Sequence, residues 1–161
     1  MTIAIDKDAC ELLDADHIAV KHLFVDYARL AVLPKADATV AQRTALAIKI
    51  CDELTVHAQI EEEIFYPALR EALPDADALV DEATEEHQQA KQLIADIRAE
   101  GQASPVMDTL VSELNVAIEH HVKEERDELF PRAKAAPDLD LDALGQQLLE
   151  RQAELQAAPP A

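Results

Sequence analysis

The chain has 161 residues, enough for one ordinary domain with a single substantial core. It is 49% hydrophobic but 3% aromatic, with 2 Gly and no Trp, and its abundance of Ala, Leu, Glu and Gln points to all-α structure. The formal net charge of −19 repels phosphate backbones and anionic headgroups, so neither nucleic acid nor membrane is expected as a partner.

Met1 to Cys10 alternates apolar and charged residues without a basic flank and apolar run, and no stretch approaches the roughly 20 apolar residues of a membrane span. A cytoplasmic location is the expectation. Cys10 and Cys51 stand far apart, in neither metal nor redox spacing, and read as reduced thiols.

The first helix is expected to start at Asp6 or Asp8 as cap and to run until Pro34, with Leu13, Val20, Phe24, Tyr27 and Ala31 forming an apolar stripe that includes His17. The second starts near Asp37, carries Leu46, Ile50, Leu54, His57 and Glu61 on its stripe, and is predicted to bend or end by Tyr66 because Pro67 lacks an N–H. A short turn over Pro67 to Leu73 follows. The third opens at Asp75 or Asp77 and closes at Gly101, with Val80, Ala83, His87, Ala90, Ile94 and Ile97 inward. The fourth has Ser104 as N-cap and Pro105 at its first position, and is predicted to run to Phe130, just before Pro131. Its stripe is Met107, Leu110, Leu114, Ala117, His121, Glu125 and Glu128.

Short connections between such helices favour an antiparallel up-down-up-down four-helix bundle, here over residues 1–135. Residues 136–161 supply a shorter helix that docks outside, and a frayed Ala-Pro-Pro-Ala end.

His17, His57, Glu61, His87, His121 and Glu125 all fall on core-facing stripes. Buried imidazoles and carboxylates at one level must satisfy each other or bind cations. His57/Glu61 and His121/Glu125 are spaced i, i+4, which puts each pair on one helix face. Nitrogen with carboxylate oxygen suits iron, manganese or zinc. The pattern also repeats: HAQIEEEIFYP and HVKEERDELFP superpose from His to Pro, and Asp16-His17 aligns with Glu86-His87. Two hairpins, each giving one single histidine and one His/Glu pair, would place four histidines and two carboxylates at the bundle centre for two ions.

From Asp14 to Pro131 the sequence resembles the hemerythrin-like, or HHE cation-binding, family. The resemblance implies a four-helix bundle around an oxo- or hydroxo-bridged pair of non-haem irons, with zinc or manganese as other occupants. It implies His17 and His57 on one iron, His87 and His121 on the other, and Glu61 and Glu125 across both. Respiratory members carry a further histidine where this chain has Lys91, which puts reversible dioxygen carriage in doubt and leaves positions open on both ions.

The expected ligand is thus dioxygen, peroxide or nitric oxide, with peroxide decomposition as the enzymatic form, and dioxygen sensing or iron buffering as the alternatives. His120 lies about 100° off the stripe and His22 follows His17 by about 140°, so both are expected outside the site. Glu62, Glu63, Glu124 and Asp127 read as a solvated face, and Lys21 and Lys91 as long side chains reaching water, with pairing to acids near the metals as the sharper alternative. The aromatic residues read as core or hairpin-end packing, with a tyrosine near the irons able to gate access or serve as a redox outlet.

Overall fold

A computed structural model describes residues 7–157, and the whole framework is helical. Helix α1 spans Ala9–Ala31 and is capped by Asp8, whose carboxylate accepts the Glu11 N–H at 2.9 Å. The alternative cap, Asp6, lies outside the described residues, as do Ala158–Ala161. After a 3₁₀ turn at Ala36–Thr39, α2 runs over Val40–Ile60. Helix α4, Asp77–Glu100, ends on Gly101, whose φ of 73° is the left-handed conformation that a Cβ disfavours. Helix α5, Pro105–Glu124, begins with Ser104 accepting the Met107 N–H at 3.1 Å.

The structure takes the bend rather than the end expected at Pro67, with the short turn expected over Pro67 to Leu73 helical as well, and corrects the helix end expected at Pro131. Neither Pro67 nor Pro131 stops its helix. A π turn, Glu61–Phe65, follows α2 and leads directly into α3, Tyr66–Ala72; a second, Glu125–Leu129, follows α5 and leads into α6, Phe130–Ala135. At the exits, Tyr66 N–H donates to the Glu61 carbonyl and Phe130 N–H to that of Glu125, five residues back. This wider turn accommodates a proline that has no N–H and would crowd the carbonyl four residues before it. The extra residue also shifts the stripe, so Leu129 is buried and Glu128, expected inward, is exposed.

Helices α1, α2, α4 and α5 pack in a ring, α1 on α2 and α5, and α4 on α2 and α5. One apolar cluster, with Leu13, Phe65, Tyr66 and Phe130, fills the end that α7 covers; another, with Phe24, Ile50, Ile94 and Leu114, fills the opposite half. At that far end Arg43 is buried and pairs with Asp108, which also accepts from the Tyr27 hydroxyl at 2.6 Å. Helix α7, Leu141–Ala157, lies across α1, α2 and the first π turn. Its Gly145 sits so close that an added Cβ would meet backbone atoms of Lys7, Asp8 and Ala9 at 3.0 Å.

Candidate metal centre

The six inward-facing residues meet between the two apolar clusters. Each is at most 7% exposed, and Glu61 and Glu125 are fully buried. His17 from α1 and His57 from α2 face each other with Nε2 atoms 3.1 Å apart; His87 from α4 and His121 from α5 do the same at 3.2 Å. Glu61 Oε1 is 3.1 Å from His57 Nε2 and 3.2 Å from His87 Nε2, while Glu125 Oε1 is 3.4 Å from His17 Nε2 and 2.8 Å from His121 Nε2. Each carboxylate therefore touches both histidine pairs. The glutamates reach this point because each opens a π turn one helical turn after its histidine.

All four imidazoles are held from outside through Nδ1. His17 Nδ1 contacts Asp14 at 3.3 Å, His57 Nδ1 Asp16 at 3.0 Å, His87 Nδ1 Glu62 at 3.1 Å and His121 Nδ1 Glu86 at 3.0 Å. An ionised carboxylate only accepts, so each Nδ1 is the donor and each Nε2 is turned inward. Asp16 and Glu86, which precede the single histidines in sequence, serve the paired histidines of the neighbouring helices. Glu62, read from sequence as part of a solvated face, instead accepts from His87 Nδ1 and from Lys91 Nζ, the latter at 2.7 Å. Lys91 thus takes the sharper of its two expected roles. Asp14 is likewise shared, accepting from Arg126 Nε at 2.6 Å.

Two buried carboxylates facing four imidazoles form a strong field for positive charge. Among the described residues, the oxygens of Glu61 and Glu125 make no well-formed hydrogen bond, and what faces them at 2.8 to 3.4 Å are the inward imidazole nitrogens, although buried ionised groups need a full set of partners. Burial opposes a charge on His57, but Glu61 and Asp16 outweigh it and raise His57 to about 10. Burial opposes it at His121 too, where Glu125 dominates and raises the group to about 12. Glu61 is held well below the usual carboxylate range, since the histidines around it, His57 foremost, overcome its burial. Positive charge is thus favoured on His57 and His121, opposite the two glutamates. Two cations fit the same role: nitrogens about 2.1 Å from one ion and at right angles to each other lie about 3 Å apart, the spacing of each histidine pair. Among the described residues three donor sets can hold an ion: His17/His57/Glu61/Glu125 and Glu61/His87/His121, both buried, and Glu86/His120/Glu124 nearer the surface.

Tyr66 closes the second set. Its hydroxyl lies 3.3 Å from His87 Nε2 and 3.4 Å from His121 Nε2, and burial followed by the charges of Glu125 and Glu61 keeps it a phenol by raising it well above its ordinary value. Among the described residues, no tyrosine hydroxyl is bonded to the first pair, where the Phe130 ring stacks on His17 at 6.1 Å. On the other side lies a cavity of about 30 Å³, lined by the four histidines and by Leu54, Ala90, Ile94, Ile118 and Val122, with Lys91 at its margin. That is room for one or two water-sized groups in an apolar wall. His120 is largely exposed and contacts Glu86 at 3.3 Å and Glu124 at 3.1 Å, away from the centre; His22 is exposed on α1. Both cysteines are buried and free, and burial first of all raises Cys10 to about 12 and Cys51 to about 11, consistent with inert thiols.

A helical bundle with a buried His/Glu cluster of this kind defines a metal-binding protein. Residues 8–133 match the hemerythrin HHE cation binding domain, and the chain belongs to that family. A hemerythrin HHE cation binding domain-containing protein from Mycobacterium kansasii has the same fold, with a TM-score of 0.71, 24% identity, and coverage of 93% of this chain and 88% of that one. A DNA nickase from Nostoc sp. is 32% identical over 82 residues, which are 51% of this chain and 23% of the nickase, so the match spans less than a quarter of that protein. Among the described residues, no helix is long and apolar enough to cross a membrane.

Proposed function

We propose that the centre holds two iron ions and reacts with a small neutral oxygen or nitrogen species, hydrogen peroxide foremost. His17 and His57 would hold one ion, His87 and His121 the other, and Glu61 and Glu125 would span both. What carries the reading is the pair of fully buried glutamates, each set against Nε2 atoms from both histidine pairs and beside a cavity that the same histidines line. When bound, the two irons would supply redox chemistry and Lewis acidity toward a ligand in that cavity. The chain's own part is positioning. Asp14, Asp16, Glu62 and Glu86 fix the rings, the apolar wall selects uncharged ligands and keeps bulk water out, and the Tyr66 O–H can donate a hydrogen bond at the second histidine pair.

Metal analysis and an absorption spectrum, followed by mixing the iron(III) protein with hydrogen peroxide, test this. Two irons per chain, near-ultraviolet bands and oxygen release above that of free iron are expected. Iron bound without turnover would sink the enzymatic reading. A band formed from the iron(II) protein in air and lost under vacuum would instead establish reversible dioxygen binding, a reading the apolar cavity favours. Zinc alone, or more than two ions in rapid exchange, would point to metal buffering.

A further inference from the structure

Asp16 carries more than the His57 ring. The Asp16 Oδ2 atom that accepts from His57 Nδ1 at 3.0 Å also accepts from the side-chain amide of Gln152, again at 3.0 Å. Gln152 belongs to α7, which lies beyond the segment that matches the family. Three further contacts fix its approach. Leu144 and Leu148 are buried in the core, Gly145 lets α7 rest on the backbone ahead of α1, and Arg151 donates to Glu63 at 2.8 and 3.3 Å, two residues beyond Glu61.

The other half of the centre lacks this arrangement. Glu86 is the counterpart of Asp16 in the repeat, and the groups beside it are His120 and the carboxylate of Glu124. The counterparts of those two residues are Val56 and Ile60. One outer carboxylate is therefore held by a neutral amide and the other by a charged cluster.

We infer that α7 is a working part of the metal centre, with Gln152 as a positioning residue that acts through Asp16 on His57. The amide shares the very Asp16 oxygen that accepts from His57, whereas His120 meets Glu86 Oε2 and leaves Oε1 to His121, so Asp16 pulls less strongly on the His57 Nδ1–H than Glu86 pulls on that of His121. The two ions then see unequal imidazole donors even though their ligands are the same. This rests on the two-iron reading for its consequence, but not for the hydrogen-bond chain itself.

The test compares Gln152→Leu with Arg151→Ala, which removes one exposed contact of α7 while Leu144, Leu148 and the close seat at Gly145 keep the helix docked and Gln152 beside Asp16. Protein reconstituted with ⁵⁷Fe is expected to show two quadrupole doublets, of which Gln152→Leu shifts one while Arg151→Ala shifts neither. In the metal-free full chain, Gln152→Leu should speed exchange of the His57 Nδ1–H by about three- to tenfold, less than the roughly 10–100-fold effects of removing a ligand's direct partner, and leave His121 unchanged. Unchanged His57 exchange, equal acceleration at both histidines, or the same response to Arg151→Ala would overturn the inference. If the wild-type chain takes up no iron, the two-iron reading falls, and the exchange measurement alone decides the role of Gln152.

Discussion

The two halves of the centre come from one repeated sequence, yet they are supported differently. In the first, the Asp14 oxygen facing His17 also accepts from Arg126, and Asp16 is backed by α7. In the second, Glu62 spreads its two partners over two oxygens, Oε2 for His87 and Oε1 for Lys91, and Tyr66 stands against both histidines. The first half is buttressed by the fold and the second by local charge and a phenol. Repetition preserved the inward groups, while the outer supports diverged, because many donors and acceptors can orient an imidazole but few groups can face two cations.

The largest effect is expected from the groups that belong to both halves. Glu61→Ala removes an oxygen donor from each ion and should abolish retention of both, a loss beyond the roughly 10–100-fold caused by removing an outer partner; inductively coupled plasma analysis after gel filtration measures it. Retention of one full ion would show that Glu61 serves a single half. His57→Ala and His121→Ala should each reduce stoichiometry from two to one, and loss of both ions from either variant would mean that the halves cannot be loaded separately.

Acidity offers a third way to compare them. His57 and His121 are raised, to about 10 and about 12, so below those values each holds a proton that an incoming ion must displace. Affinity for zinc should therefore climb between pH 6 and 8 with a slope of about two log units per pH unit, one proton from each half. A slope near one would mean that only one half is protonated without metal.

Smaller effects follow from the outer carboxylates. Glu62→Ala should weaken zinc binding by about tenfold, and Asp14→Ala by less, since Asp14 divides one oxygen between His17 and Arg126. Competition against a coloured chelator ranks the two, and the reverse order would break the distinction. The smallest is Gly145→Ala, where the new methyl meets backbone at 3.0 Å and should cost about 1–3 kcal/mol in urea unfolding while metal stoichiometry stays unchanged.

The bundle and its inward residues were legible because burial and helical period act on the same side chains. His17, His57, Glu61, His87, His121 and Glu125 each sat on an apolar stripe, and the duplicated text related the halves to one another. What stayed hidden depended on contacts across helices. Asp14, Asp16, Glu62 and Glu86 are partly exposed and look like any acidic surface in a chain with 33 acidic residues. The one visible signal was the acid preceding each single histidine, and it did not reveal that the acid serves the neighbouring helix. Gln152 had no signal, since it lies far along the chain from Asp16. Pro131 misled for a different reason: a missing N–H predicts a broken α-turn but says nothing of whether the chain stops or widens, the choice that the bend-or-end reading at Pro67 had left open.

That widening has a mechanical consequence. A turn with one residue more than an α-turn rotates everything downstream by about 100° and advances it by about 1.5 Å. Tyr66 and Phe130, five residues after Glu61 and Glu125, owe their inward aim to that offset. Pro67 and Pro131 therefore act as register locks. They disfavour the ordinary α-turn that would swing Tyr66 and Phe130 away from the centre.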